Sequence, residues 1–339
     1  MAVWVALDAM GGDFAPQATV EGALMALKSF PELGVYLVGQ PEVLAPLLKR
    51  RVPKKLEIVP AKEVVAMDES PIGALRTKLD SSIRRSFDLL KEGTAQAVVS
   101  AGNSGAVLAT ALFVLGRIKG VSRPAIATVL PTIRGQAVMI DSGANVDCKP
   151  HHLLQFAYMG AVFSREILRV PSPKVGLLSI GEEGGKGNTL VKRTHQLLTE
   201  SGLNYVGNIE GRDIYRGEVD VIVCDGFVGN ICLKLSEGLA EALMLMMAQE
   251  LRSSRLAQIG FSFARGALKR FQQRIDWRER GGAPLLGVKG VVIISHGRSD
   301  AQAIKNALGT ALFFVKEEVL ENLSRDLAEL PSLVQSAQR

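Results

Sequence analysis

Cysteine is scarce in this 339-residue chain, and the three present, Cys148, Cys224 and Cys232, form no CxxC pair. An odd and small number excludes a disulfide framework and points to a reducing compartment. Aromatic residues make up 5% of the chain and charged residues 22%, too little charge for a disordered polyelectrolyte. No apolar run approaches the roughly 18 residues that span a bilayer. The start MAVWVALDAM lacks the basic n-region and long apolar h-region of a signal peptide, so the expectation is a cytoplasmic protein. HExxH is missing, no Ser-His-Asp order is evident, and AMGGD does not match GxGxxG. GEEGGKGN lacks the GxxxxGK[ST] spacing and has Gly187 where a magnesium-binding hydroxyl would stand, which argues against a nucleotide P-loop. No metal site and no cofactor are expected.

What the chain has is apolar sequence, 47% of its residues, and 34 glycines. Apolar runs recur at 3–7, 34–39, 96–102, 125–131, 136–141, 175–181, 219–226 and 290–297, each followed by a glycine-rich or polar turn. Amphipathic stretches at 19–30, 81–92, 151–168 and 190–201 have helical length and spacing. Strand, turn and helix in alternation predict an α/β fold: a Rossmann-like, mostly parallel sheet flanked by helices. Residues 1–339 read as a single α/β domain. An amphipathic helical arm is expected as an insertion at 240–282.

Ligands bind such sheets beyond the carboxyl ends of the strands. The turns there form a set: Asp8, Gly11, Gly12 and Asp13; Gly102, Asn103, Ser104 and Gly105; Asp141, Gly143, Asn145 and Asp147; Gly181, Gly184, Gly185, Lys186 and Asn188; Asp225, Gly226, Gly229 and Asn230; His296, Gly297 and Ser299. One Gly-Asn or Asp-Gly pair is ordinary turn chemistry. Six such turns, with glycines that let backbone amides approach a ligand, point to an anionic substrate held in one cavity. Lys186 is a lone cation among glycines, serving neither a helix face nor a core. Asn230 and His296 follow strands in the same way, and the three together suggest charge stabilisation rather than covalent catalysis. Asp8 and Asp13 would repel an anion and are expected to shape the Gly11-Gly12 turn instead. His296 has two readings, phosphate binding or proton transfer on one side and capping of the helix that begins near Ser299 on the other.

Net charge is +6, and its distribution is uneven. Between Glu250 and Arg280 stand eight basic and three acidic residues, while the remainder carries +1. Leu256, Ile259, Phe263, Phe271 and Ile275 recur there at helical spacing with arginine and lysine on the other faces. This reads as an amphipathic basic helix, or as a core or dimer helix with a solvated face. A near-neutral remainder and the lack of any base-reading motif argue against nucleic acid.

ALDAMGGDFAP, SAGNSGA, MIDSGANVDCKP, GEEGGKGN, VCDGFVGN and IISHGRSDAQAIKNA, in order along nearly the whole chain, resemble the bacterial acyl-carrier-protein:phosphate acyltransferases of phospholipid synthesis. The resemblance implies transfer of a long-chain fatty acyl group from acyl carrier protein to inorganic phosphate, giving acyl phosphate. It implies a fold similar to phosphate acetyltransferases and to the isocitrate and isopropylmalate dehydrogenases, a homodimer, and essential roles for Lys186 and Asn230. It also implies peripheral contact with an anionic membrane through apolar residues near the tip of the arm, expected at Leu256, Ile259, Phe261 and Phe263. The basic face, or Arg76, Lys78, Arg84 and Arg85, would alternatively dock the acidic carrier protein. Competing expectations are a phosphate acetyltransferase-like enzyme using coenzyme A, a decarboxylating dehydrogenase-like enzyme, and a non-catalytic lipid- or anion-binding protein.

Overall fold

Side chains alternate between the two faces of a strand, and in this chain both faces are apolar. The computed structural model describes residues 2–48, 52–253 and 276–328, together with 263–264, 266–267, 269–271 and 274. The strands are β1 (Val3–Asp8), β2 (Leu33–Gly39), β3 (Leu56–Pro60), β4 (Ala97–Ser100), β5 (Ala125–Thr132), β6 (Gly135–Ile140), β7 (Val175–Leu178), β8 (Tyr205–Ile209), β9 (Val221–Val223), β10 (Ala283–Leu286) and β11 (Val291–Ile294). The helices are α1 (Gln17–Ser29), α2 (Pro41–Leu47), α3 (Pro71–Thr77), α4 (Ser82–Lys91), α5 (Ser104–Val114), α6 (Pro150–Ile167), α7 (Thr189–Thr199), α8 (Gly226–Ser253), α9 (Ala301–Lys316) and α10 (Val319–Ala328). All eight expected strands are present. β3, β8 and β10 arise where no run predicts them, from short segments interrupted by charge, glycine or proline.

The eleven strands make one sheet in the order β3-β2-β1-β4-β11-β10-β5-β6-β9-β7-β8. β3, β2, β1, β4 and β11 are mutually parallel, as are β6, β9, β7 and β8. Between them the pairings of β10 with β11, of β10 with β5 and of β5 with β6 are antiparallel. The mostly parallel sheet is therefore two parallel halves joined by a reversing middle. The joint is narrow: β10 pairs with β11 through Ala283 and Pro284, then with β5 through Leu285 and Leu286. Because three antiparallel pairings, an odd number, separate the halves, their strands run in opposite directions and the six glycine-rich turns fall into two groups of three. The six turns expected to line one cavity thus stand in two groups within the sheet.

One face of the sheet is covered by a single apolar layer in which Val5, Leu7, Val99, Ile293, Val138 and Val223 meet α1, α6, α9 and α10. The other face is divided. Ala6, Val98 and Val292 pack beneath α3, α4 and α5, whereas Met139 and Ile222 pack with Leu178, Ile214 and Val219 beneath the first turns of α8. Glycine sets the closeness of the helix layer at one point: a β-carbon on Gly22 of α1 would lie 2.6 Å from Ile304 of α9. No described helix is long and apolar enough to cross a membrane.

α8 begins ahead of the expected 240–282 arm and runs into it. It is one helix of 28 residues that runs unbroken through position 240, about 42 Å at 1.5 Å per residue. From Ile231 to Glu250 none of its residues is buried. Phe227, Ile231, Leu235, Leu239 and Leu243, four residues apart, stand exposed along it, with Met246 beyond. Of the expected membrane-contact residues, Phe263 is 88% exposed, and Leu256, Ile259 and Phe261 lie outside the described residues.

Candidate functional site

The first group of turns follows β1, β4 and β11, which are neighbours. Asp8 ends β1 fully buried, and burial pushes its carboxyl above the ordinary range, opposed by hydrogen bonds that include those from Ser82 and Ser100. Ser100 Oγ donates to Asp8 Oδ2 at 2.7 Å and accepts from Gly102 N at 3.1 Å. A β-carbon on Gly11 would stand 2.3 Å from the same carboxylate oxygen, and Gly12 has φ +111°, so this turn requires both glycines. Asp13 is exposed and donates its backbone N–H to Gly297 O at 2.8 Å, stitching the turn after β1 to the turn after β11. The Asp8 carboxylate is thus engaged within the turn, and Asp13 ties the turn through its backbone.

Asn103 caps α5 by accepting from Ala106 N at 3.0 Å, and its amide donates to Met67 O at 3.0 Å and Glu69 O at 2.9 Å. Its side chain therefore anchors the 66–69 loop, and only the surrounding backbone is left for an anion. Ser104 is exposed, and Gly105 admits Pro71, whose Cγ would lie 2.7 Å from a β-carbon. His296 is exposed, and its Nδ1 accepts from Arg298 N at 3.0 Å. In the neutral ring this leaves the proton on Nε2, a donor. The helix-cap reading of His296 is corrected: Asp300 caps α9, accepting from Ala303 N at 2.9 Å.

The second group follows β6, β9 and β7, which are mutually parallel neighbours, so their turns open at the same end. Asp141 organises it. Its carboxylate accepts from the backbone N–H of Ile126, Gly143, Ala144 and Asn145 and from the Asn145 side-chain amide, at 2.7–3.2 Å. Burial pushes its pKa up, against the pull of these donors. Asn145 also donates to Pro124 O at 2.7 Å, and its own carbonyl accepts from Gly226 N at 2.7 Å. Its side-chain amide nitrogen and its backbone N–H and carbonyl are thus engaged within the turn. Asp225 caps the start of α8, accepting from Val228 N at 2.9 Å.

Glycine decides how α8 meets this turn. A β-carbon on Gly226 would lie 2.8 Å from Asn145 backbone atoms, and one on Gly229 would lie 1.9 Å from Asp141 O. This contact seats the first turn of α8 on the 141–145 loop and brings half-buried Asn230 beside Gly143, 3.6 Å from a β-carbon built there. On the adjacent strand, the loop after β7 carries Lys186, exposed, with its backbone N–H donating to Glu183 O at 2.9 Å. Gly181 makes room for the lysine stem, 2.9 Å from Cγ, and Gly187 turns the chain at φ +92°. Asn188 then caps α7, accepting from Val191 N at 2.9 Å. Gly185 faces open space.

The fold therefore brings Lys186 and Asn230 to the same end of neighbouring strands and assigns Asp8, Gly11, Gly12, Asp13, Gly102–Gly105 and His296 to the other half. Burial raises the thiol pKa of Cys148 to about 12 and of Cys224 and Cys232 above the ordinary value, so none is a ready thiolate. Among the described residues no cluster of three or more histidine, cysteine or acidic side chains is placed to hold a metal. Sequence reasoning noted Asp141 only as one turn residue among many. Its burial and its five donors become visible only once β5 and β6 are paired.

Residues 3–322 match the family described as fatty acid synthesis protein. The chain is 50% identical over 325 residues to the phosphate acyltransferase of Geobacter sulfurreducens, covering 95% of this chain and 94% of the relative. It is 53% identical over 310 residues to that of Heliobacterium modesticaldum, covering 91% and 92%. In fold it is similar to a phosphotransacetylase from Streptococcus pyogenes, with TM-score 0.62, 18% identity and 94% of each chain covered. A branched-chain phosphotransacylase from Enterococcus faecalis aligns with TM-score 0.56, 13% identity, and 94% and 99% covered.

Proposed function

We propose a reaction from one premise: this chain belongs to the phosphate acyltransferase family of fatty acid synthesis proteins, and it is an acyltransferase. The acyl donor is a long-chain fatty acyl thioester on acyl carrier protein, and the acceptor is inorganic phosphate. A phosphate oxygen attacks the thioester carbonyl carbon, giving a tetrahedral oxyanion. Its collapse breaks the C–S bond, releasing acyl phosphate and the carrier thiolate.

The observation that carries this reading is the placement of Lys186 and Asn230 in turns at one end of two adjacent parallel strands. Phosphate is already a nucleophile, so the protein has to bind it, align it and stabilise the oxyanion. Lys186 supplies a fixed positive charge and the Asn230 amide a hydrogen-bond donor, and a thiol of pKa near ~8.5 leaves without a strong acid. Three cysteines with raised pKa agree with direct transfer rather than an acyl-cysteine intermediate. Backbone amides of the 102–105 turn are further donors, offered to phosphate-bearing groups of the substrates.

The exposed apolar ridge of α8 supports a homodimer in which two such helices pack together, and its charge-rich continuation supports a peripheral contact with anionic lipid, where each basic residue contributes about 1 kcal/mol. Exposed Phe263 belongs to that contact. The test is phosphate-dependent release of free thiol from acyl carrier protein loaded with a long acyl chain. Release without phosphate, or equal release from acetyl coenzyme A, overturns the assignment.

A further inference from the structure

The carbonyl of Glu183 is an anchor shared by two donors. It accepts from Lys186 N at 2.9 Å and from the side-chain amide of Asn208 at 3.1 Å. Asn208 lies on β8 and is buried, 5% exposed. Its Oδ1 faces the Tyr205 hydroxyl at 3.4 Å, and that hydroxyl lies 2.8 Å from His195 Nδ1 on α7. The His195 and Tyr205 rings meet edge-on at 5.5 Å between centroids.

These atoms order themselves. With Tyr205 O–H donating to Asn208 Oδ1, it accepts from His195 Nδ1–H, and the amide nitrogen of Asn208 is turned toward Glu183 O. The far edge of the imidazole closes the network over the glycine loop: a β-carbon on Gly184 would stand 2.7 Å from His195 Nε2. The loop is therefore gripped on two sides, through the Glu183 carbonyl and across Gly184, within three residues of Lys186. An exposed lysine on a glycine-rich loop has many conformers, and fixing the backbone from which it projects removes a large share of them.

We propose that His195, Tyr205 and Asn208 are positioning residues for the reaction, holding the 183–186 backbone so that the Lys186 ammonium reaches the developing charge. This rests on the assignment of Lys186 given above. None of the three touches the reacting atoms. β8 is an edge strand of the sheet, and its inner polar residues are here given a purpose that strand pairing alone does not require.

The experiment is a double-mutant cycle between Asn208→Asp and Lys186→Ala, read as turnover in the thiol-release assay with urea unfolding measured on every protein. Asn208→Asp keeps the shape and removes the donor to Glu183 O. Expected are a loss of about ten- to a hundredfold in kcat from Asn208→Asp, in the range that a misplacement of about 1 Å produces, and no further loss when it is added to Lys186→Ala. A purely structural role would lower both backgrounds equally, and additive losses overturn the proposal. Wild-type turnover for Asn208→Asp also overturns it. Should that variant be poorly folded, Tyr205→Phe, which deletes only the hydroxyl, takes its place in the same cycle with the same outcomes. Near-normal turnover of folded Lys186→Ala would instead overturn the assignment of the lysine, on which this proposal rests.

Discussion

The carbonyl oxygen of Asp141 stands so close to Gly229 that a β-carbon there would lie 1.9 Å from it. Helix α8 is consequently seated on the loop that Asp141 organises, and Asn230 inherits its position from that contact. Gly229→Ala should force the helix off the loop, costing about 3 kcal/mol, at the upper end of over-packing penalties, and removing activity. Gly185→Ala, which meets nothing within 4 Å, should stay within about 0.5 kcal/mol of the parent. Urea midpoints of the two variants check the contrast.

Lys186→Ala and Asn230→Ala should each lower turnover at least about a hundredfold, because loss of one donor to a developing oxyanion costs about 2.7–4 kcal/mol of barrier. Neither side chain is fully buried, so the unfolding midpoints should stay close to the parent's. Thiol release measured at saturating phosphate separates the two quantities. Near-normal turnover in either folded variant would remove that residue from the mechanism.

His152 gives a pH dependence with a definite sign. Its side chain is buried in α6, with Nδ1 accepting from Lys149 N at 3.0 Å. Burial, aided by His151, Arg123 and Lys149, lowers its pKa to about 4, against about 6.5 in an unfolded chain. The unfolded state takes up a proton that the native state refuses, so this contribution is complete above about pH 6.5 and declines as pH falls toward 4. The expected loss is on the order of 2 kcal/mol. His152→Asn, which keeps an acceptor for Lys149 N, should flatten that part of the profile. Parallel parent and variant curves between pH 7 and 4.5 would show that the decline has another origin.

The ridge on α8 is testable by association. Leu235→Glu and Leu239→Glu together place two charges in the exposed apolar row and, on the proposal that two such helices pack together, should give a monomer in sedimentation where the parent gives a dimer, leaving the sheet intact. An unchanged oligomer would move the subunit contact elsewhere.

The sequence by itself determined the α/β class, eight of the strands and the chemistry available in the turns. An apolar run of four to eight residues has few ways to hide except inside a sheet covered on both faces, and glycine with asparagine after such a run marks the turn. Lys186 and Asn230 stand out in the sequence as candidates because a cation among glycines and an amide after a strand differ from their surroundings. Only the tertiary structure decided which turns stand together. β10, two residues to each partner, links the halves and the β5–β6 pairing beyond it completes the reversal of strand direction, and APLL carries no periodicity that announces a strand. The same holds for Asp141, His195, Tyr205 and Asn208: the partners of their side chains lie up to 25 residues away, on neighbouring strands or across loops. A side chain's role as acceptor or anchor is set by that proximity, which no local pattern encodes.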